Sequence, residues 1–249
     1  MSAMARHVLA ATLALVASLG AASAQGQGGS RGFTLRGPDG REVDFRRADP
    51  AKVVAAELAF ARAAQEKGQW TAFADYATED AVMFVPEPVN AQAWLKGRAN
   101  PPQAVRWQPH QVWSSCDGTL AVTKGAWQRA DGSTGYFTTV WQRQGNKRKT
   151  EYRWVMDQGD ALAEPLATPE MIEAKVADCG RASGAGDSEQ ADWEANSEAA
   201  GVTTGVGESQ DRSLLYRYRV SPSGARTTEI FLLKDGKMEQ VLLSEVAAE

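Results

Sequence analysis

The chain has 249 residues, with 27 lysine and arginine residues against 31 aspartate and glutamate residues and a formal net charge of −4 at pH 7. Because no basic excess is present to neutralise phosphates, the composition argues against a nucleic-acid partner. The length suits one large domain, or one domain with an accessory part.

Residues 1–24 have the pattern of a secretory signal. Arg6 precedes an apolar run from Val8 to Leu19, and Ala22-Ser23-Ala24 supplies small residues before Gln25. This pattern predicts cleavage after Ala24 and an exported protein, periplasmic or secreted. The apolar run is shorter than the roughly 20 residues that span a bilayer. No later run is longer, so no transmembrane segment is predicted.

Residues 25–49 are predicted to form a flexible arm or a small hairpin. Gln25 to Gly32 is rich in Gly, Gln and Ser, which is typical of a tether. Two short apolar runs, Phe33-Thr34-Leu35 and Val43-Asp44-Phe45, flank the turn sequence Pro38-Asp39-Gly40. Both alternatives stay open.

A helical segment begins at Asp49-Pro50, since Asp can cap a helix and Pro is tolerated in its first turn. Val54, Leu58 and Ala61 recur at helical spacing and predict its buried face, and Gly68 suits its end. The elements predicted to follow are a second helix from Gln69 to Ala77, a short strand from Ala81 to Val85 and a short helix from Asn90 to Leu95.

Four strand-like runs then follow one another, and this stretch holds five of the eight tryptophans. The runs are Arg106–Cys116, Thr119–Ala130, Ser133–Gln144 and Thr150–Gln158, each dense in residues that favour strands. Asp-Gly and Gly-Asn pairs between them predict tight turns and sequential antiparallel pairing. The order of elements predicts an α+β fold for residues 50–160, with helices on one face of a curved antiparallel sheet.

The remainder is predicted to comprise a linker at 161–212 and a β-strand extension at 213–249. A weak strand pattern spans Ile172 to Val176, and Arg181 to Gln210 has the composition of a long flexible loop. Three strand-like runs close the chain: Ser213–Val220, Thr227–Lys234 and Met238–Glu245. They could pack on the four-strand sheet or form a separate one. No internal repeat is evident.

Two cysteines, Cys116 and Cys179, are present. In an exported protein an even pair suggests a disulfide. Two buried thiols are the alternative, and both stay open.

Residues from about Pro50 to Gly159 resemble the nuclear-transport-factor-2-like superfamily, closest to its SnoaL-like and uncharacterised bacterial branches. The stretches that carry the resemblance are Ala55–Phe60, Tyr76–Val82, Pro88–Leu95, Gly135–Trp141 and Trp154–Asp157. The resemblance implies a cone: a bent sheet wrapped around helices, with a pocket at its open end. Members include isomerases, cyclases, dehydratases and many non-enzymatic proteins, so the fold alone does not imply a function.

Three residues are candidates for acid–base chemistry: Glu87, Asp157 and His110. The segment Glu87-Pro88-Val89 resembles the Asp-Pro-Val segment that bears the general base of ketosteroid isomerases. That family also uses a tyrosine of its first helix as oxyanion donor, and near the equivalent place this chain has Phe60 and Ala61 instead. Strand alternation places Asp157 with Arg153 and Val155, where it could pair with Glu87 or form a salt bridge. His110 is the only histidine outside the predicted signal, and a buried structural role is its alternative.

Six aromatic residues could line an apolar ligand pocket, with core packing as the alternative. They are Trp94, Trp113, Trp127, Tyr136, Trp141 and Trp154. The sequence contains no metal-spaced Cys/His cluster and no phosphate-binding loop, so neither a metal nor another cofactor is predicted.

Three hypotheses follow. The first is an exported protein that binds a small apolar or amphipathic molecule, or a partner, without catalysis. The second is a small isomerase, cyclase or lyase with Glu87 as general base. The third is an envelope assembly module that forms a homodimer through its sheet, with Trp141 or Tyr136 on the outward face.

Overall fold

The computed structural model describes residues 34–36, 42–44, 48–146, 149–180, 193 and 201–248. The predicted signal at 1–24 and the tether at 25–32 lie outside the described residues. Strand β1 (Thr34–Arg36) pairs with strand β2 (Glu42–Asp44) in antiparallel fashion, as a small hairpin requires. No helix in the described part of the chain is long and apolar enough to cross a membrane.

Three helices precede the long strands: α1 (Pro50–Lys67), α2 (Gln69–Tyr76) and α3 (Ala91–Leu95). The predicted buried face of α1 is wrong, because Leu58 is 44% exposed. The buried stripe lies one residue away and comprises Val53, Glu57, Phe60, Ala63 and Ala64. Asp49 does occupy the capping position of α1, but its side chain makes no capping hydrogen bond.

Gly68 separates α1 from α2 for two physical reasons. Its φ of +102° is accessible mainly to glycine, and a Cβ there would lie 2.3 Å from the Nδ2 atom of Asn100. The Asn100 side chain needs this space because its Oδ1 atom accepts hydrogen bonds from the backbone N–H groups of Trp70 and Thr71, at 2.7 and 3.1 Å. A residue from a distant loop therefore caps α2.

The first sheet is curved and open, with seven strands in the order β4-β3-β8-β7-β6-β5-β9. The strands are β3 (Ala77–Phe84), β4 (Pro88–Asn90), β5 (Arg106–Ser114), β6 (Leu120–Gln128), β7 (Thr134–Asn146), β8 (Lys149–Leu162) and β9 (Glu173–Val176). The four predicted consecutive strands are β5 to β8, paired antiparallel in chain order. The β3–β8 and β5–β9 pairs are parallel.

The second sheet has four antiparallel strands in chain order: β10 (Thr203–Glu208), β11 (Leu214–Val220), β12 (Arg226–Lys234) and β13 (Lys237–Val246). Three of them were predicted. Strand β10 falls in the segment predicted as a loop, and that part of the prediction is wrong. Its Gly205 and Gly207 concealed it, because glycine is unfavourable in isolated strands.

The first sheet is buried on both faces. The helices cover one face, where Phe60, Trp141 and Trp154 are fully buried. The second sheet covers the other, where Val140 and Met156 pack with Leu214, Ile230 and other apolar residues of β11 to β13. The C-terminal strands therefore pack on the four-strand sheet, and the fold is mixed α+β with three layers.

Two turns with the same sequence pattern join the sheets. Ser115–Leu120 between β5 and β6 and Ser209–Leu214 between β10 and β11 both read Ser-x-Asp-x-(Ser/Thr)-Leu. In each turn the aspartate, Asp117 or Asp211, accepts hydrogen bonds from the serine two residues before it and from the residue two positions after it. This six-residue repeat escaped the sequence analysis because it is short.

The two turns also bond to each other reciprocally. The backbone N–H of Asp117 donates to Oδ2 of Asp211 at 2.9 Å, and the backbone N–H of Asp211 donates to Oδ2 of Asp117 at 3.1 Å. The backbone N–H of Cys116 donates to the hydroxyl of Ser213, and that of Gln210 donates to the hydroxyl of Thr119. We refer to Ser115–Leu120 and Ser209–Leu214 together as the interlocked turns.

A disulfide lies beside the interlocked turns. Cys116 and Cys179 are joined with their Cα atoms 5.2 Å apart, and the two residues are 63 positions apart in sequence. The bond ties the segment after β9 to the turn between β5 and β6, so covalent and hydrogen-bonded connections meet at one corner of the molecule.

Replacing Asp117 with alanine should lower the free energy of unfolding by roughly 3 to 5 kcal/mol, because several buried donors lose their acceptor. Asp131→Ala is the matched control: Asp131 makes the same local bonds to Ser133, but its turn is exposed. That variant should lose about 1 kcal/mol. Urea unfolding of both variants measures the difference, and equal losses would contradict the role given to the interlocked turns.

Candidate functional site

Glu87 lies in the exposed turn between β3 and β4, where its carbonyl oxygen accepts a hydrogen bond from the N–H of Val85. Glu87 is exposed to solvent. The structure does not bring Glu87 together with Asp157, which lies in the middle of the first sheet on the helix-covered face.

His110 is the extra residue of an irregularity in the β5–β6 pairing, between Pro109 and Gln111. The side chain is buried, and its Nε2 atom has no hydrogen-bond partner among the described residues. Burial lowers the pKa of His110, which favours the neutral imidazole. The arrangement is that of a buried strand residue with no carboxylate or nucleophile bonded to it.

Asp157 lies on the opposite face from the one that strand alternation predicted. Val140 pairs with Met156, but Trp141 pairs with Trp154, so the β7–β8 register shifts by one residue at this point. The shift turns Asp157 to the side of Trp154 and the helices. There its Oδ2 atom accepts a hydrogen bond of 2.6 Å from the hydroxyl of Thr139.

Glu57 of α1 is a fully buried carboxyl group that the sequence analysis missed. Its Oε1 atom accepts a hydrogen bond of 2.7 Å from the indole N–H of Trp107. Its Oε2 atom accepts from the hydroxyl of Thr123 at 2.5 Å and from the indole N–H of Trp141 at 3.0 Å. These three donors belong to β5, β6 and β7, so one carboxyl group joins the first helix to three strands.

The two carboxyl groups belong to one polar row on the helix-covered face. Thr123 pairs with Thr139 across β6 and β7, and Thr139 pairs with Asp157 across β7 and β8. Glu57 bonds to the first threonine and Asp157 to the second. We call Glu57, Thr123, Thr139 and Asp157 the polar row.

Both carboxyl groups hold a proton more tightly than usual. Burial raises the pKa of Glu57, although the hydrogen bonds from Thr123, Trp107 and Trp141 oppose this rise. Burial raises the pKa of Asp157 to about 7, and the charge of Glu57 adds to the effect while Thr139 and Arg226 oppose it. Asp157 is partly buried as a residue, whereas Glu57 is fully buried.

A sequence signal for Glu57 did exist. It stands at helical spacing from Val53, Phe60 and Ala64, so an acidic residue interrupts an otherwise apolar stripe. A buried acid of this kind needs hydrogen-bond donors, and the tryptophan-rich strands offered them. The stripe was missed because Val54, Leu58 and Ala61 show the same period one residue out of phase.

The six aromatic residues predicted to line a pocket are distributed over the whole structure. Trp141 and Trp154 lie in the core beneath the helices, and Trp113 lies between the sheets. Trp94 contacts Trp70 at the partly buried margin of the helix-side core, and the ring of Trp127 fills the space above Gly135. Tyr136 lies between the sheets, where its hydroxyl is 2.7 Å from that of Ser244. None of the six lines the cleft between the two sheets or the cleft between α2 and α3.

The larger cleft has a volume of about 730 Å³ and opens between the two sheets. It forms where β3 leaves its neighbour: Ala77 pairs with Trp154 and Val82 with Met156, so four residues of β3 stand opposite a single residue of β8. The floor is apolar, with Val82, Val155 and Met156, and the polar residues around it include Thr78, Glu79, Asp80, Gln142, Gln144 and Arg153. We call it the inter-sheet cleft.

Tyr216 and Tyr218 of the second sheet form the opposite wall of the inter-sheet cleft. Their rings lie over Gly207 and Gly205 of β10, where an added Cβ would approach ring carbons to 2.4 and 2.3 Å. The glycines are therefore required by the tyrosines that pair with them across the strands. Burial raises the pKa of Tyr216 to about 12, and Tyr218 adds to the rise, so the phenol stays neutral and can donate a hydrogen bond.

The smaller cleft, of about 640 Å³, lies between α2 and α3. Trp70 and Leu95 contribute apolar surface, and Lys96 and Arg98 contribute positive charge. The guanidinium of Arg98 lies 3.4 Å from the centre of the Trp94 ring, which fixes its position. We call this smaller cleft between α2 and α3 the helical cleft.

The face proposed for a homodimer is occupied by the chain itself. Tyr136 and Val140 point away from the helices, and the second sheet covers both residues. Trp141 points towards the helices and is fully buried. Neither aromatic residue is therefore available on an outward surface.

Within the ranges that the structure describes, no three His, Cys, Asp or Glu side chains are grouped so as to hold a metal ion. Asp117 and Asp211 are adjacent, but hydroxyl and backbone donors occupy their oxygens. The titratable groups of interest are therefore those of the polar row and of the two clefts.

The unfolding free energy should fall between about pH 4 and pH 7 through Asp157. The folded state retains its proton up to about pH 7 and the unfolded state only to about its ordinary value of 3.8, so stability present at low pH is lost as the pH rises. Asp157→Asn should remove this slope and gain at most roughly 4 kcal/mol at pH 8, less where solvent screens the half-buried group. Urea unfolding from pH 4 to 8 tests this, and parallel wild-type and variant profiles would contradict it.

No protein-family model and no curated protein matches the chain. Among solved structures, the chain is similar to a crystal structure of a "putative aromatic ring hydroxylase" from Novosphingobium aromaticivorans. The two are 16% identical, the match covers 47% of this chain and 92% of that chain, and the TM-score is 0.34.

Proposed function

We propose that this protein is an exported binding protein that holds a small amphipathic molecule in the inter-sheet cleft without catalysis. The observation that carries the proposal is the cleft itself: about 730 Å³, open to solvent, with an apolar floor between polar walls. Its volume falls within the range of small-molecule sites, roughly 300 to 1,000 Å³.

The lining favours an amphipathic ligand over a wholly apolar one. Val82, Val155 and Met156 offer a floor for an apolar group. Two neutral phenols, Tyr216 and Tyr218, stand opposite them and combine an apolar ring with a hydrogen-bonding hydroxyl. A purely apolar ligand would leave the polar walls without partners, which costs free energy.

Export is supported by the predicted signal and by the Cys116–Cys179 disulfide. Structural disulfides persist in oxidising compartments such as the periplasm and the extracellular space. The disulfide joins two segments of the folded chain, and the Cα atoms of its cysteines are 5.2 Å apart, within the usual range for a disulfide. This geometry is expected for a structural bond.

We also propose that residues 50–159 belong to the nuclear-transport-factor-2-like superfamily, with a cone-shaped arrangement of sheet and helices. The order of two helices, a strand, a short helix and four antiparallel strands supports the proposal. The proposed ligand site differs from the pocket that the resemblance implies, because buried aromatic side chains pack between the helices and the sheet.

Replacing Val155 with tryptophan should fill the floor of the inter-sheet cleft and weaken binding of the neutral amphipathic dye N-phenyl-1-naphthylamine by about tenfold or more. Dye fluorescence on titration with the protein measures the affinity. Leu243→Trp is the matched control, since Leu243 is 50% exposed outside the cleft and should leave binding unchanged. Equal dye affinities for both variants, or no saturable binding to the wild type, would contradict the proposal.

A second candidate function is acid–base catalysis by Asp157. The observation that favours it is the carboxyl group of this partly buried residue, whose pKa burial raises to about 7, close to the value at which a general base works best near neutral pH. Asp157 takes the role that the sequence analysis gave to Glu87. Thr139 orients its carboxyl group through a hydrogen bond.

The second candidate is tested with 5-nitrobenzisoxazole, which opens when a general base removes one proton. The rate of ring opening should rise with pH and then level off, with the midpoint of the rise near pH 7, because the base must be deprotonated. Asp157→Asn should abolish it, whereas Glu87→Gln should not alter it. Activity that is absent from the wild type, or retained in the Asp157 variant, would exclude this candidate.

A further inference from the structure

The inter-sheet cleft and the helical cleft meet at one side chain, Gln92 of α3, which lines both of them. Its Nε2 atom donates a hydrogen bond of 2.9 Å to the carbonyl oxygen of Ala74. This bond fixes the side chain between α2 and α3. The two clefts are therefore neighbours that share one lining side chain.

The two clefts carry opposite charges. Glu79 and Asp80 line the inter-sheet cleft, where the only cation in the lining, Arg153, is paired with Glu151 at 3.1 Å. The helical cleft has two cations, Lys96 and Arg98, and no acidic residue in its lining. The acidic and basic sets lie on either side of Gln92.

These charges are available to a ligand. In the described ranges, Glu79, Asp80 and Lys96 take part in no ion pair. The Nε atom of Arg98 donates to the carbonyl oxygen of Trp94 at 3.3 Å, while its ring contact holds the guanidinium in place. The terminal nitrogens of that guanidinium can still donate to a carboxylate.

The wall of the inter-sheet cleft also offers backbone groups. Gly205 and Val206 line the cleft and belong to β10, which has a strand neighbour on one side only within the described chain. An edge strand presents N–H and C=O groups that can pair with an extended chain. This feature suits a ligand with a peptide backbone.

We propose that the ligand of the joined clefts is a short peptide with free ends. Its ammonium group lies at Glu79 and Asp80, and its carboxylate lies at Lys96 and Arg98. An apolar side chain rests on the floor formed by Val82, Val155 and Met156. This inference rests on the proposed binding function and names the ligand class for the same site.

The test uses tri- to pentapeptides of alanine and leucine, with free ends, with an acetylated N-terminus or with an amidated C-terminus. Isothermal titration at low salt should show that blocking either end weakens binding by about two- to fivefold, as for exposed ion pairs. Added salt should weaken binding of the free peptides most.

Two variants assign each end of the peptide. Glu79→Gln with Asp80→Asn should bind free peptide more weakly and respond no further to acetylation, while still responding to amidation. Lys96→Gln with Arg98→Gln should show the converse pattern. Glu245→Gln, on an exposed position of β13, is the control and should behave as the wild type.

Peptides that bind equally well with free and blocked ends would overturn the inference. So would saturable binding of N-phenyl-1-naphthylamine that no peptide displaces, and in that case the proposed binding function would stand. Loss of dye binding in the Leu243→Trp control as well as in Val155→Trp would overturn the proposed function, and this inference with it. Circular dichroism of each variant shows that a loss of binding is not a loss of folding.

Discussion

The reciprocal hydrogen bonds between the interlocked turns determine how the layers of this protein are assembled. Asp117 and Asp211 each satisfy the donors of their own turn and one backbone N–H of the other. At the same corner, the hydroxyl of Tyr152 donates a hydrogen bond of 2.7 Å to the carbonyl oxygen of Gly118. Because buried backbone groups are costly when unpaired, this corner sets where the second sheet lies on the first, and the position of the second sheet defines the inter-sheet cleft.

The strands β5 to β8 could be predicted because local chemistry determines them. Turn pairs such as Asp117-Gly118 and Asp131-Gly132 separate runs of strand-forming residues, and Gly118 and Gly132 have the positive φ values that such turns require. The helix boundaries followed for the same reason, since Pro50 and Gly68 act on the backbone directly.

The candidate site depended on information that alternation and spacing do not contain. A one-residue register shift at Val140 and Trp141 moved Asp157 to the other face of the sheet. The burial of Glu57 could not be predicted from spacing alone, because apolar residues recur at helical spacing on two neighbouring faces of α1. Strand β10 was hidden because its glycines are favourable only beneath Tyr216 and Tyr218, which follow later in the chain. Each of these features is a long-range contact, and only the folded arrangement reveals it.

The second sheet belongs to the same chain as the surface that it covers. A separate molecule would cover Val140 and Met156 only above some threshold concentration, and dilution would expose them. A tethered layer is held at a fixed effective concentration, reinforced by the hydrogen bonds of the interlocked turns. The inter-sheet cleft therefore keeps the same walls however dilute the protein becomes.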